Sequence, residues 1–307
     1  MNLVANLHKN ILATVTYYDV LDFPLTSYEL WRQLISYQET SGTDKAKLKD
    51  VILALATPEL QKKLGQKNGF VFLLGREALV RERIQREKLS ARKLERMQKL
   101  VRILVFMPFV RMIAATGSLA FKHGKKRSDW DMFIVMQARK IWIGRFILTG
   151  FLHLIGKRRY GKKVEDRACL NYFITDDQLE IMNKDLYGAH EYQTMRLLYG
   201  VKTFARFEIA NRWISRFKPQ YGATFLQDRF TLRESAWKKS MQSFLEAFVR
   251  GLPATSLCKD WQKKKIAKNP NTQLLGSYIE ASDQALVFLP HPRGPKVFTE
   301  FKKRLSF

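Results

Sequence analysis

A chain of 307 residues with 46% hydrophobic content is long enough for roughly two or three domains and apolar enough to bury a core, which excludes a disordered tail. Its 54 Lys and Arg against 28 Asp and Glu leave a formal charge of +26, so nucleic acid or anionic lipid is the expected kind of partner, held by a generic, salt-sensitive attraction. The two cysteines, Cys169 and Cys258, stand in no pattern that would build a disulfide framework or a zinc site, and residues 1–10 lack the apolar run of a secretion signal, so a cytoplasmic setting is expected.

Leu3, Leu7, Ile11, Leu12 and Val15 recur at helical spacing and predict a helix over residues 3–18, with Pro24 closing the loop that follows. Thr26 and Glu29 form a capping box for a second helix, the hydroxyl accepting from the amide of residue 29 while the carboxylate reaches back to the cap amide. A third helix is expected over 43–56, capped by Thr43 or Asp44, with Leu48, Val51, Ile52 and Leu55 turned inward. Residues 60–64 and 70–74, separated by Lys67-Asn68-Gly69, read as a β-hairpin. Three helices and a hairpin make a winged-helix-like domain over residues 1–76, a shape that binds DNA or positions other modules. Residues 77–104 predict a connecting helix whose charge runs, such as Arg81-Glu82-Arg83, form a solvated face.

Two apolar stretches bear on membranes. Residues 101–115 are broken by Arg102, Pro108 and Arg111, and residues 141–155 contain Arg145 and His153, so neither spans a bilayer. The second, flanked by Arg139, Lys140 and Lys157-Arg158-Arg159, reads first as a helix packed on a sheet and second as a helix lying on an anionic membrane surface.

The chemistry concentrates in Met112-Ile113-Ala114-Ala115-Thr116-Gly117-Ser118 and, a short segment later, Asp129-Trp130-Asp131-Met132-Phe133-Ile134-Val135. The pattern is strand, turn, short helix, strand. Gly117 permits close backbone approach, and Ser118 offers an amide and a hydroxyl to phosphate oxygens. Asp129 and Asp131 alternate along a strand and therefore share a face, with Trp130 on the other. Two neighbouring carboxylates repel unless a cation lies between them, and Mg²⁺ or Mn²⁺ suits carboxylates together with substrate phosphates. Such a site supports in-line displacement at the α-phosphate of a nucleoside triphosphate.

This segment resembles the signature of the DNA polymerase beta-like nucleotidyltransferase superfamily, in which an apolar residue precedes Gly-Ser and an Asp-x-Asp follows about ten residues later. The wider order, from Tyr17-Tyr18-Asp19 and Phe23-Pro24-Leu25-Thr26 through Gly117-Ser118-Leu119-Ala120 and Cys169-Leu170-Asn171 to Ala189-His190-Glu191, resembles bacterial nucleotidyltransferase-domain proteins over most of the chain. The resemblance implies an α+β fold: a nucleotidyltransferase core at 105–180 built on a small mixed β-sheet with flanking helices, a helical domain at 181–289 and a basic tail at 290–307. It implies transfer of a nucleoside monophosphate from an NTP to a hydroxyl acceptor, with Asp129 and Asp131 on the metal and Gly117 and Ser118 on phosphate.

The superfamily carries a third carboxylate on a later strand. Here that strand is Ala168-Cys169-Leu170-Asn171-Tyr172-Phe173-Ile174, and the position falls on Asn171, whose amide oxygen can ligate a cation but adds no charge. Either a neighbour such as Glu165, Asp166, Asp176 or Asp177 supplies the charge, or the site binds nucleotide without efficient turnover, as in a nucleotide-sensing, nucleic-acid-binding regulator. Lys122, Lys125, Lys126 and Arg127 form a basic loop that faces either phosphate or solvent. A helical region from Asp185 through Tyr199 carries Tyr187, His190 and Tyr192, candidates for an acceptor pocket, with His190 more simply a structural residue. The tail, with Lys302-Lys303-Arg304, is expected to be mobile or to bind anions.

Overall fold

The computed structural model describes residues 3–36, 45–222, 229–250 and 255–305. The chain opens with helix α1 (Leu3–Val20), strand β1 (Leu25–Thr26) and helix α2 (Ser27–Arg32), followed by α3 (Leu48–Leu55), α4 (Pro58–Gln61), β2 (Leu64–Lys67) and β3 (Phe70–Leu73). The three strands form an antiparallel sheet in the order β1-β3-β2. Thr26 and Glu29 make the reciprocal capping box at α2, with both bonds at 3.1 Å. The tight turn at Asn68-Gly69 places both residues at positive φ, 52° and 78°, the geometry that matches a two-residue hairpin loop to strand twist.

Two expectations shift here. Residues 60–64 do not form a strand throughout: Leu60 lies in α4 behind Pro58, where fixed proline φ favours a first helical turn, and β2 begins at Leu64. The third helix starts at Leu48, with the Asp50 carboxylate accepting from the Lys47 amide at 2.9 Å. The expected caps Thr43 and Asp44 lie outside the described residues.

Helix α5 (Ala78–Leu104) runs from this unit into the rest of the chain. Its charged surface is not wholly solvated. Arg83 is fully buried, paired with Glu29 at 2.9 Å and Glu87 at 2.6 Å and lying 4.2 Å above the Phe23 ring. A buried guanidinium needs such partners to offset its lost hydration. Ten residues on, Lys93 is buried as well and bonds Asp166 and the Ser128 carbonyl. These two cations fasten one helix to both halves of the molecule.

The larger sheet has six strands in the order β7-β4-β5-β6-β9-β8. They are β4 (Val110–Ala115), β5 (Trp130–Met136), β6 (Ala168–Thr175), β7 (Arg196–Tyr199), β8 (Tyr278–Ala281) and β9 (Ala285–Leu289). Only β5 and β6 run parallel, joined over the sheet by α7 (Ile141–Leu154). Alternation along β5 divides the core: Trp130, Met132 and Ile134 pack on one face, Phe133 and Val135 on the other. The short helix α6 (Gly117–Ala120) follows β4. The fold is thus mixed α+β, and among the described residues no helix is long and apolar enough to cross a membrane.

The region beyond residue 180 is less helical than its sequence implies. Helices α8 (Leu186–Gln193), α9 (Val201–Ala210), α10 (Ile214–Phe217), α11 (Ala236–Arg250) and α12 (Thr255–Ala267) are interrupted by β7, β8 and β9, which extend both edges of the sheet. Residues 196–199 are therefore strand and not a continuation of the helix at 186. The tail is also ordered: α13 (Gly294–Leu305) packs on α1 and α8, with Phe301 buried and its ring 5.5 Å from that of Tyr17.

Candidate functional site

The site forms where β4 ends beside β5. The Thr116 amide still bonds the Asp131 carbonyl at 3.0 Å, after which the chain must turn sharply into α6. Gly117 does this at φ 62°, in the left-handed region that costs an L side chain free energy. Trp130 is buried on one side of β5, which turns Asp131 to the other, and Asp129 stands just before the strand. The expected pairing of the two carboxylates on one side is what the pleat produces.

Strand β6 lies alongside, with Asp131 opposite Cys169 and Phe133 opposite Tyr172. Two steps along β5 match three along β6, so β6 carries one extra residue, a β-bulge. The bulge brings Cys169 to the position across from Asp131. One ligand atom from each of Asp129, Asp131 and Cys169 lies within 4.8 Å of the others. Asn171 also reaches the site, its Nδ2 donating to Asp131 Oδ1 at 3.3 Å, while its Oδ1 is buried without a hydrogen-bond partner. The third position expected at Asn171 is thus shared, and the side chain grouped with the aspartates is Cys169.

Burial pushes the Asp131 carboxyl up to about 7, with the charges of Asp129 and Glu191 adding to the effect and Arg159 opposing it. The same low-dielectric setting, with the two aspartates, pushes the Cys169 thiol up to about 12. Arg159 Nη1 donates to Asp129 Oδ2 at 2.6 Å and to Cys169 Sγ at 3.4 Å. On the other flank, the Gly117 amide donates to Glu191 Oε2 at 3.2 Å. Burial raises the Glu191 carboxyl, against the opposing influence of a Tyr187 hydrogen bond, the Gly117 amide and the nearby Arg293 charge. A guanidinium rests on an aspartate, and a carboxylate rests on the amide of Gly117, in the turn expected to meet phosphate.

Arg159, Cys169 and Glu191 were not among the site residues expected from sequence. Arg159 sits in a basic run that reads only as the flank of the helix at 141–155, and Glu191 sits next to His190 with no local mark of its partner Gly117. Among the described residues, none of the suggested substitutes for the third carboxylate is grouped with Asp129 and Asp131. Asp166 is held by Lys93 at 2.7 Å and Arg96 at 2.5 Å, and Asp176 accepts from the Ala138 amide beyond the far end of β6. Within the basic loop, Lys122 pairs with Glu29 and Glu87, whereas Lys125, Lys126 and Arg127 are exposed.

His190 belongs to the core. It is fully buried, its Nδ1 lies 2.9 Å from the Tyr18 hydroxyl, and burial drives its pKa well below the ordinary histidine range, with the Lys218 charge adding. Tyr192 packs against Phe133, Tyr172 and Phe207. Tyr187 touches the site through Glu191. A cavity of about 590 Å³ lies between the first unit and the sheet, lined in part by Trp31, Glu29, Phe121, Arg196 and Glu208, and includes none of the aspartate-site residues.

No protein-family model, no curated protein and no solved structure matches this chain.

Proposed function

We propose that the chain is a divalent-metal-dependent nucleotidyltransferase acting on a nucleoside triphosphate. The observation that carries this reading is the contact of the Gly117 turn with Asp131, beside Asp129: an anion-binding turn and a carboxylate pair share one small volume. The donor set fits a divalent cation. Two carboxylates held so that one is pushed up to about 7 lose their repulsion when a cation joins them. Asp129, Asp131 and Cys169 would hold it, and the thiol favours Mn²⁺ or Zn²⁺ over Mg²⁺ relative to an all-oxygen site.

A bound cation would supply Lewis-acid polarisation of phosphate oxygens. The chain's own residues do the positioning. Gly117 and Ser118 present amides and a hydroxyl to a phosphate, which requires Glu191 to give up the Gly117 amide. Asn171 orients Asp131 through its amide, and Arg159 offers a guanidinium to developing phosphate charge. An acceptor hydroxyl would form a bond to the α-phosphorus and lose its proton to solvent water as the α–β phosphoanhydride breaks, and pyrophosphate would leave with the displaced charge.

A second reading is a nucleotide-sensing regulator without turnover. It is favoured by Arg159 on Asp129 and Glu191 on Gly117, which fill the cation and anion positions from within the chain, and by the lack of a carboxylate at Cys169 or Asn171. In either case the helix-strand-helix-helix-helix-strand-strand order of residues 3–73 supports a winged-helix-like unit. The net positive charge suits a nucleic acid partner, and a cytoplasmic setting is part of the proposal.

Pyrophosphate release from each of the four ribonucleoside triphosphates, with Mg²⁺ or Mn²⁺ and with RNA, protein or small hydroxyl acceptors, tests the two. Release that disappears in Asp129→Ala/Asp131→Ala supports transfer. Metal-dependent nucleotide binding without release supports sensing, and nucleotide binding indifferent to the double substitution rejects both.

A further inference from the structure

Helix α11 is turned inside out. The residues it directs inward are polar: Gln242 donates to the carbonyls of Met107 and Val110 at 2.9 and 2.8 Å, and Glu246 accepts from the Phe109 amide at 2.9 Å and from Arg111 at 2.8 Å. Its apolar residues Trp237, Met241, Phe244 and Phe248 recur at helical spacing on the opposite side, with Trp237, Phe244 and Phe248 exposed by 60, 69 and 67%. Helix α12 repeats the inversion. Buried Gln262 bonds the Trp142 carbonyl and Arg145, while Leu257 and Trp261 are 72 and 52% exposed.

Both helices are anchored close to α7. Phe109, which bonds α11 through Glu246, also packs against Gly144 of α7, and α7 carries α12. Phe146 of α7 stands edge-on to Trp261, its ring centroid 5.8 Å away. Most of the apolar side chains of α7 are committed elsewhere: Ile141, Trp142, Leu148 and Leu152 are buried in the sheet core, while Leu154 at its C-terminal end is exposed. The face left for a partner is thus chiefly that of α11 and α12, not the segment 141–155 as a whole.

Charge selects the occupant. The two helices carry seven Lys or Arg, of which Lys239, Arg250 and Lys259 pair with Glu234, Glu246 and Asp283, and two acids, one of them the inward Glu246. Lys263, Lys264 and Lys265 are exposed; Lys265 lies 4.8 Å from the ring centroid of Trp261 and Lys263 5.8 Å from that of Trp142. A second copy would press like charges together in a chain of formal charge +26. Aromatic side chains ringed by lysine are the composition of a helix lying in a lipid headgroup layer, where apolar burial and attraction to anionic lipid add. We infer that the exposed faces of α11 and α12 form a peripheral docking surface for an anionic phospholipid bilayer, an inference independent of nucleotidyl transfer.

The test is flotation of the full chain with vesicles of phosphatidylcholine alone and of phosphatidylcholine containing about 30% phosphatidylglycerol, at low and high salt. Alongside go Phe244→Ser/Phe248→Ser and Lys263→Gln/Lys264→Gln, with melting temperatures to confirm that each is folded. The expected result is flotation with the anionic vesicles only, weakened about tenfold or more by either double substitution. Brominated lipid should quench tryptophan emission in the wild type. Failure to float with anionic vesicles overturns the inference. So does flotation unaffected by Phe244→Ser/Phe248→Ser, which would reduce it to generic electrostatics. A dimer in analytical ultracentrifugation that the same substitution dissolves would give the face to a second copy instead.

Discussion

Gly117 and Asp131 are packed so closely that a Cβ added to the glycine would lie 2.5 Å from Asp131 Oδ2. Together with φ 62°, this makes the turn doubly intolerant of a side chain. Gly117→Ala should lower stability by about 1–3 kcal/mol and displace the Asp131 carboxylate. Thermal unfolding and metal binding read the two effects separately, and a variant equal to wild type in both would show that the turn relaxes freely.

Asp131 makes the metal-free protein sensitive to alkali. Its carboxyl is raised from 3.8 to about 7 on folding, so between those values the folded state keeps a proton that the unfolded chain releases. Its contribution to stability is therefore most favourable below pH about 4, is lost as pH rises through about 7, and is level above that. Asp131→Asn should be more stable than wild type at pH 8 in chelator, by a few kcal/mol at most on the scale of ~1.4 kcal/mol per pH unit. That difference should shrink towards pH 4. A constant difference across the range would locate the proton elsewhere.

Arg159 competes with any cation for Asp129. Removing its charge by Arg159→Gln should strengthen Mn²⁺ binding in the absence of nucleotide by about tenfold, the order expected for one unit charge near a partly exposed pair. Calorimetric titration checks this, and weaker binding in the variant would assign Arg159 a supporting role in holding Asp129 in place.

Cys169 sets the metal preference. Cys169→Asp should shift binding towards Mg²⁺, and Cys169→Ser should lose affinity for Cd²⁺ or Zn²⁺ more than for Mg²⁺. Titrations with each ion, compared between variants, decide the point. An unchanged order of metals would remove the thiol from the ligand set.

Tyr18 and His190 predict a purely structural effect. The Tyr18 hydroxyl donates to Gln33 Oε1 at 2.8 Å, so the His190 Nδ1, 2.9 Å away, is assigned as the donor to the tyrosine oxygen. Tyr18→Phe leaves both buried groups unpaired and should cost about 1–3 kcal/mol while nucleotide affinity stays unchanged. A loss of affinity at unchanged stability would move His190 into the site.

Local chemistry was the legible part of the sequence. The Thr26–Glu29 box, the Asn68-Gly69 turn and the placing of Asp129 and Asp131 across from Trp130 all follow from the residues within a few positions of one another. The register of β6 was not legible. Counting alternate residues assumes an unbroken pleat, and the bulge between Cys169 and Tyr172 turns that count by one. Glu191 and Arg159 escaped for a different reason: each finds its partner across the fold, 74 residues from Gly117 in one case and 30 from Asp129 in the other. Strands β7, β8 and β9 are four or five residues long, too short for alternation to declare itself, and take their state from the sheet edges they join.

The seat of α13 on α1 also imposes an order on synthesis. Ile11, Tyr17 and Phe301 belong to one apolar cluster, yet the residues of α1 leave the ribosome long before those of α13. At ordinary elongation rates the interval is on the order of tens of seconds, during which the part of α1 that Phe301 will cover faces water. The unit that carries α1 is thus closed only once α13 is made, and a nascent chain in that interval presents the kind of uncovered apolar helix that chaperones bind.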